Sequence, residues 1–447
     1  MLNVVPTRFG RVVLCLVSLS AVGVTHAAVP GNLPAGSNLT TAAVSIPNMA
    51  PAGNGNPALL ARSLGDRRWA LHGFKLPAIA LELGPVDDFV DKLDALEARV
   101  DDAETDGQIT AAEFQAIEAE FQPLLAEIGA KAEVGIDVSM PLPTLPVVFK
   151  AFDGVMAVHV DLAVSALANV IDGDLELDVA DEEILTNSAV YVRSGQFVQV
   201  AVDYARDLMP FALGQFDGAV SAGARLKLIQ GELSRQIAAL DSDDDEDTAF
   251  DRAGDNYDLN KDSAFAVGLD VGAGFVAENL ALGATLRNLI PAKFDFANIG
   301  SNCANRAQET ERQDCFAAAE FIARGDAPAR DDFTLDPQLF VEASYALADS
   351  GVTVFGGLEL NKVENIAGND YQWLSVGVSY VGPWWLPAAR AGWRSNLAGS
   401  KLDVISVGFN LFNVLSIEAF QSLDSARYDG DKYPRSAGVT IGFGGRF

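Results

Sequence analysis

The feature that most limits how this chain can fold is a two-residue alternation of apolar with polar or small residues. It recurs along most of the length and runs to the last residue. Phe265, Val267, Leu269, Val271, Ala273 and Phe275 alternate with Ala266, Gly268, Asp270, Gly272 and Gly274. The same period marks Leu280 to Arg287, Val352 to Asn361, Leu374 to Tyr380, Ile405 to Leu411 and Val439 to Phe447, and earlier Val158 to Val164, Val198 to Tyr204 and Val220 to Leu228. Period two places all apolar residues of a segment on one face of a strand. The polar faces are rich in Gly, Ser and Thr with scattered Asp, Glu and Arg, as a wet interior permits. No stretch after the first 27 residues gives eighteen consecutive apolar positions; the best, Val147 to Ile171, is broken by Lys150, Asp153 and Asp161. A chain that spans a membrane without such a run must do so as a closed β-barrel, in which every backbone group is paired between strands. The expected fold is therefore all-β: a single transmembrane antiparallel barrel of about 14 strands, within a range of roughly 12 to 16. A soluble β-sandwich is the competing reading. It is disfavoured by the near-membrane length of the strands, by their polar faces and by the terminal Phe447 closing an amphipathic strand.

The start of the chain points to export. Arg8 and Arg11 precede an apolar run from Val12 to Val24, and Thr25-His26-Ala27 ends in a small residue. This is the three-part pattern of a secretory signal peptide covering residues 1–27. The expected destination is the outer membrane of a Gram-negative bacterium. Cys15 leaves with the signal, so Cys303 and Cys315 are the two cysteines that remain. In an oxidising compartment they are expected to form a local disulfide.

Charge excludes one large class of function. The 447 residues carry 31 Lys+Arg against 61 Asp+Glu, a formal charge of −30, and loss of Arg8 and Arg11 takes it to −32. Nucleic-acid phosphates would be repelled, and no basic stripe offsets this. A mean hydropathy of +0.17 is high for so acidic a chain. Its apolar residues are therefore concentrated in pattern.

Several segments fall outside the strand pattern. Residues 28–65 hold Pro30, Pro34, Pro47, Pro51 and Pro57 among Gly and Asn, and read as an extended segment or a plug ahead of a barrel domain at 66–447. Residues 87–129 read as a helical hairpin, with apolar stripes Phe89, Leu93, Leu96, Val100 and Phe114, Ile117, Phe121, Leu124. Between the stripes, Asp102, Glu104, Asp106, Gln108 and Glu113 take the spacing of an EF-hand calcium loop, with Gly107 at the turn. Against calcium stand the Glu at the third loop position and the lack of a second loop. The alternative is a plain turn in which Thr110 caps the following helix. No cofactor is required by this reading, and Ca2+ is the one candidate. Residues 241–262 carry ten acids against Arg252 and Lys261 and read as a solvated loop. The disulfide loop spans 300–330.

Catalytic signals are sparse. Beyond the signal only His72 and His159 remain, and there is no Gly-x-Ser-x-Gly, His-Glu-x-x-His or Walker A element. Gly272-x-Gly274-x-x-Ala277 imitates a dinucleotide fingerprint but lies in a strand pattern with no helix after it. His159, flanked by Val158 and Val160, reads as a hydrogen-bonded filler of the interior. The chain is not expected to be an enzyme.

Short motifs carry a resemblance. Asn56-Pro57-Ala58-Leu59-Leu60-Ala61, Asn288-Leu289-Ile290-Pro291, Phe333-Thr334-Leu335-Asp336-Pro337 and the ending Gly442-Phe443-Gly444-Gly445-Arg446-Phe447 resemble the TraF family of plasmid conjugal transfer proteins, in its signal-bearing outer-membrane form. The first two also resemble FadL-type barrels, which pass long-chain fatty acids and other hydrophobic compounds. The resemblance implies an outer-membrane barrel, surrounded by outer-membrane lipid, that passes small hydrophobic molecules. The alternative is a structural or assembly component that binds envelope or conjugation proteins through the helical hairpin and acidic loops.

Overall fold

A computed structural model describes residues 33, 39–46, 55–71, 74–86, 110–141, 147–178, 183–240, 249–383, 385–412, 414–428 and 431–443. The expected signal peptide, the expected first half of the hairpin at 87–109, the acidic run 241–248 and the last four residues lie outside these.

The strands close into an antiparallel barrel of 14. In chain order they are β1 Ala78–Leu83, β2 Glu133–Pro141, β3 Gly154–Ile171, β4 Ala189–Leu213, β5 Phe216–Ala239, β6 Lys261–Ala277 and β7 Leu280–Arg287. The second half is β8 Gln338–Ala346, β9 Val352–Glu359, β10 Trp373–Tyr380, β11 Ala388–Asn396, β12 Asp403–Leu411, β13 Leu415–Ser422 and β14 Ser436–Phe443. Each pairs with its neighbours in sequence, and β14 closes on β1 through Ala437↔Leu81 and Val439↔Ile79. The barrel is inside out relative to a soluble protein. Val202, Leu228, Val267, Val354, Val378, Val407 and Val439 stand exposed on the outer face. Asp203, Lys227, Asp270, Ser379, Ser406 and Thr440, from the same strands, and Glu342 on β8 are buried in the interior. This arrangement rules out the sandwich, whose apolar faces would meet each other.

One end of the barrel has mostly short connections, such as Gly214–Gln215 and Glu278–Asn279, with residues 142–153 the longest of them, while the other carries the two longest, 84–132 and 288–337. Outer-membrane barrels place short turns toward the periplasm.

Strand length departs from the sequence expectation of about 9–11 residues. Strands β7 to β14 have 8 or 9 residues, but β4 has 25 and β5 has 24. At about 3.3 Å per residue, β4 is roughly 80 Å long and far exceeds an apolar band of about 25 Å. Beyond that band, β3 to β6 form a sheet that is covered on both faces. Ala249 and Ala253 of helix α2, to which the notation Ala249–Asp255 applies, pack outside on Ala168, Val190, Val192 and Ala238. Inside, Ala318 and Phe321 pack on Ala189, Tyr191 and Ile237. The overlong strands thus behave as a soluble sheet with two apolar sides, which strict membrane alternation hides.

Helix α1, Ala111–Lys131, buries Ile117, Phe121, Leu125 and Ile128, with Phe114 and Leu124 at the margin, against Leu175 and Ile184. Helix α3, Glu309–Arg324, ends at Gly325, whose φ of 91° lets its N–H reach back to Phe321 and Ile322. Cys303 and Cys315 are joined in a disulfide with their Cα atoms 5.3 Å apart.

The barrel should migrate faster on a gel before boiling than after it, and remain in the membrane fraction; a soluble protein without this shift contradicts the fold. Val407→Arg, on the outer face of β12, should lower folding stability in lipid by about 2–4 kcal/mol in denaturant titrations, whereas Ser406→Ala on the inner face should change it little.

Candidate functional site

A barrel of this size encloses more space than its own side chains fill. Two devices occupy it. The first is a ring of charges at inward positions of neighbouring strands. Arg225 on β5 stands directly opposite Asp203 on β4 and Asp270 on β6. Its guanidinium donates to both oxygens of Asp203, at 2.7 and 2.9 Å. His159 Nε2 lies 2.8 Å from the same carboxylate. Lys227 Nζ donates to Asp270 at 2.6 Å and also to Asn288. Farther round, Arg287 pairs with Glu359 at 3.1 Å and Arg390 with Glu418 at 2.7 Å. Opposite signs on successive strands neutralise charges that burial would otherwise make costly.

The second device is the N-terminal segment. Residues 39–46 are buried, and their backbone is held by inward carboxylates. Thr40 donates from its N–H and its hydroxyl to Glu418, each at 3.0 Å. Ser45 N–H donates to Glu342. Farther along, residues Pro57–Arg62 form a 3-10 helix within the segment the sequence reads as extended or as a plug. Asn56 caps it, accepting from Ala58 N–H at 2.9 Å, and its amide donates to the Ala273 carbonyl of β6 at 3.1 Å. Glycines in the wall make this approach possible. A Cβ on Gly272 would come within 2.2 Å of Asn56 Oδ1, and one on Gly223 within 2.6 Å of Ala58 N. The pseudo-fingerprint Gly272-x-Gly274 is therefore the seat of Asn56 and Leu59. The chance match concealed a contact that small residues across neighbouring strands could have signalled.

The long-loop end is capped by the segment between β7 and β8. Strands Ala292–Asp295 and Asp332–Leu335 form a hairpin. Its Phe294, Phe333 and Leu335, with Phe296 and Ile366, pack on the inward residues Phe197, Ile229 and Leu233. Phe197 meets Phe294 and Phe333 edge-on, at 5.3 and 5.6 Å between centroids. Fully buried Arg235 pins the cap by donating to the carbonyls of Ala297, Pro328 and Ala329. Arg193 pairs with Asp331 at 3.0 Å and lies over the Phe296 ring.

At the edge of the cap, Asp314 accepts from Ala239 N–H and from Asn256, beside Arg252. Burial raises the pKa of this carboxyl, while Arg252 and the two hydrogen bonds oppose the rise.

Of the candidate calcium ligands, Asp102, Glu104, Asp106 and Gln108 lie outside the described residues. Glu113 accepts from Thr110 N–H and hydroxyl at 2.9 and 2.7 Å, while Thr110 Oγ1 accepts from Glu113 N–H, a reciprocal helix cap. His72 also lies outside the described residues, and His159 belongs to the charge ring.

A sequence model of the family described as "F plasmid transfer operon, TraF, protein" matches residues 54–356, more than half of the chain. The chain belongs to this family. The TraF match begins two residues before Asn56 and spans the 3-10 helix, most of the charge ring and the whole cap. No curated protein sequence matches the chain. Among solved structures, the toluene transporter TodX of Pseudomonas putida is similar at 11% identity, over 93% of this chain and 97% of that one, with a TM-score of 0.37. A FadL homologue of Pseudomonas aeruginosa is similar at 10% identity, over 94% and 99%, also with a TM-score of 0.37. Outer membrane phospholipase A from Escherichia coli follows at 10% identity, over 87% and 98%, with a TM-score of 0.24.

Three outcomes test this geometry. Leu60→Cys should resist a small maleimide in the folded barrel and become reactive once Gly223→Val is added, because the new side chain displaces the 3-10 helix. Reduction of the disulfide should lower cap stability by about 3 kcal/mol and open residues 288–337 to protease, without loss of the heat shift. For Asp314 the folded pKa lies above the unfolded one, so the folded cap binds the extra proton between them. Cap protection in hydrogen exchange should therefore decline as pH rises through that window, and Asp314→Asn should flatten the slope.

Proposed function

We propose that this outer-membrane barrel is a gated conduit for small hydrophobic molecules, closed at rest by its own N-terminal segment. The observation that carries the reading is the occupied lumen. Residues 39–46 and 55–64 fill it as a chain segment, held by hydrogen bonds to Glu418, Glu342 and the Ala273 carbonyl. A barrel serving only as a scaffold needs no separable filling, whereas a conduit needs one that can move. Phe197, Phe294 and Phe333 are sealed inside the cap, which closes the long-loop end. The class of cargo follows instead from the wall, whose outer face is apolar while the charge ring makes the interior polar, so an apolar compound is best served from the lipid side. Its exit is therefore sideways, through the wall, where pairing among the described residues is interrupted. Leu71↔Val147 and Ala78↔Ser139 are paired, but Pro77 and Pro141, between them, lack the N–H a ladder requires.

Cells carrying the protein in their outer membrane should take up a fluorescent hydrophobic amine faster than cells without it. Joining Leu76→Cys to Met140→Cys with a flexible cross-linker should abolish the gain. Uptake no faster than in control cells sinks the proposal.

Membership of the TraF family favours a second reading, in which the helical hairpin binds an envelope or conjugation protein. Deleting 87–129 should then abolish partner capture while the heat shift persists. We also propose calcium at residues 102–113; Glu113→Gln should remove any calcium-induced rise in melting temperature, and a calorimetric titration without heat disposes of the site.

A further inference from the structure

The rim at the short-turn end breaks the acidic character of the chain. Arg67 and Arg68 lead into the short strand Trp69–Leu71, which pairs with Val147–Phe149. Lys150 follows, its N–H donating to the Arg68 carbonyl at 3.0 Å and its Nζ to the Gly65 carbonyl at 2.7 Å. The next turn, Phe152-Asp153, is tied to β4 by Tyr204, whose hydroxyl donates to the Phe152 carbonyl at 2.8 Å. Arg206 is two residues farther along β4. Arg62 and Asp207 also meet here and neutralise each other at 3.2 Å. That leaves Asp66 and Asp153 against four cations. The guanidinium groups of Arg67, Arg68 and Arg206 are exposed and have no carboxylate partner among the described residues. In a chain of formal charge −30, a local excess of positive charge needs an explanation.

Two large apolar side chains stand in the same patch. Trp69 is 62% exposed and Phe152 is 81% exposed. Phe152 and Asp153 have φ of 51° and 58°, a turn conformation normally filled by Asn and Gly. Holding a phenylalanine in that strained backbone, at the tip of a turn, makes sense only if the ring has an apolar medium to enter. Cations beside projecting aromatic rings, at one edge of a membrane barrel, match the boundary where phosphate groups meet acyl chains.

We propose that Arg67, Arg68, Lys150 and Arg206, around Trp69 and Phe152, form a docking site for the phosphate of anionic phospholipid in the periplasm-facing leaflet. The rings enter the acyl boundary and the cations hold the headgroup. The site fixes the depth of the rim and ties it to the first strand after the N-terminal segment. It rests on the barrel and its orientation, and is independent of any cargo.

The test uses the full chain in nanodiscs of phosphatidylcholine containing a minority of brominated phosphatidylglycerol, with brominated phosphatidylcholine as the comparison. Trp69 emission is read as the difference between wild type and Trp69→Phe. Phosphatidylglycerol should quench Trp69 well beyond its share of the lipid. Replacing Arg67, Arg68 and Arg206 by Gln should cut that preference by about fivefold or more, while replacing them by Lys should keep it. Both variants must retain the heat shift, which the exposed positions allow. Phe152→Gly should weaken quenching by both lipids. Equal quenching by the two lipids in wild type, or a preference that survives the Gln replacements, overturns the proposal; a patch of that kind would fit an acidic protein instead.

Discussion

Backbone hydrogen bonding in a medium without water is the constraint from which the rest of this structure follows. Hydrocarbon offers no partner for an open strand edge, so β14 must return to β1, and the pairing of Ala437 with Leu81 and Val439 with Ile79 is the seam that makes the fold admissible. Closure at 14 strands then creates a second problem. The interior is too wide for side chains to fill and too polar to stay dry. The charge ring and the N-terminal segment both answer it. Each ring member sits at an inward position, and successive strands supply opposite signs, as in Asp203, Arg225 and Asp270.

The N-terminal segment depends on what the wall leaves out. Gly223, Gly272 and Gly274 form a smooth patch, and the segment's own backbone comes where a Cβ would be. At its other end, Glu418 is shared between Arg390 of the wall and Thr40 of the segment. The same carboxylate stabilises the barrel and holds its filling. The cap differs in kind. It is fixed by an apolar core and by Arg235 bonding three carbonyls, so it is built as a permanent roof.

Extension beyond the bilayer gives the molecule its polarity. Strands β3 to β6 continue past the apolar band into a sheet with α2 outside and α3 inside, so the long-loop end is a folded domain, while at the short-turn end β4 and β5 reach past the start of β3 into a smaller rim. That rim concentrates exposed cations and aromatic rings in a chain otherwise dominated by acid.

Period-two alternation, together with near-membrane strand length and Gly-, Ser- and Thr-rich polar faces, was enough to point to an antiparallel barrel with a strand number near the observed one, because a strand's two faces are set by its own residues. The disulfide and the helix from Ala111 were legible for the same local reason: a cysteine pair in an exported loop, and a Thr110 cap ahead of an apolar stripe, though the sequence offered Glu113 to calcium and the structure gives it to Thr110. Strand ends were not legible, since Val190 and Ala238 face outward whether lipid or α2 covers them. The seat of the 3-10 helix was hidden too. Its glycines, Gly223, Gly272, Gly274 and Gly283, lie on three different strands, and Asn56 is more than two hundred residues from the Ala273 carbonyl it reaches. Pairing of neighbouring strands sets Gly223 beside Gly272 and Gly274 beside Gly283, but only the tertiary structure brings the N-terminal segment onto them and so decides what fills the lumen.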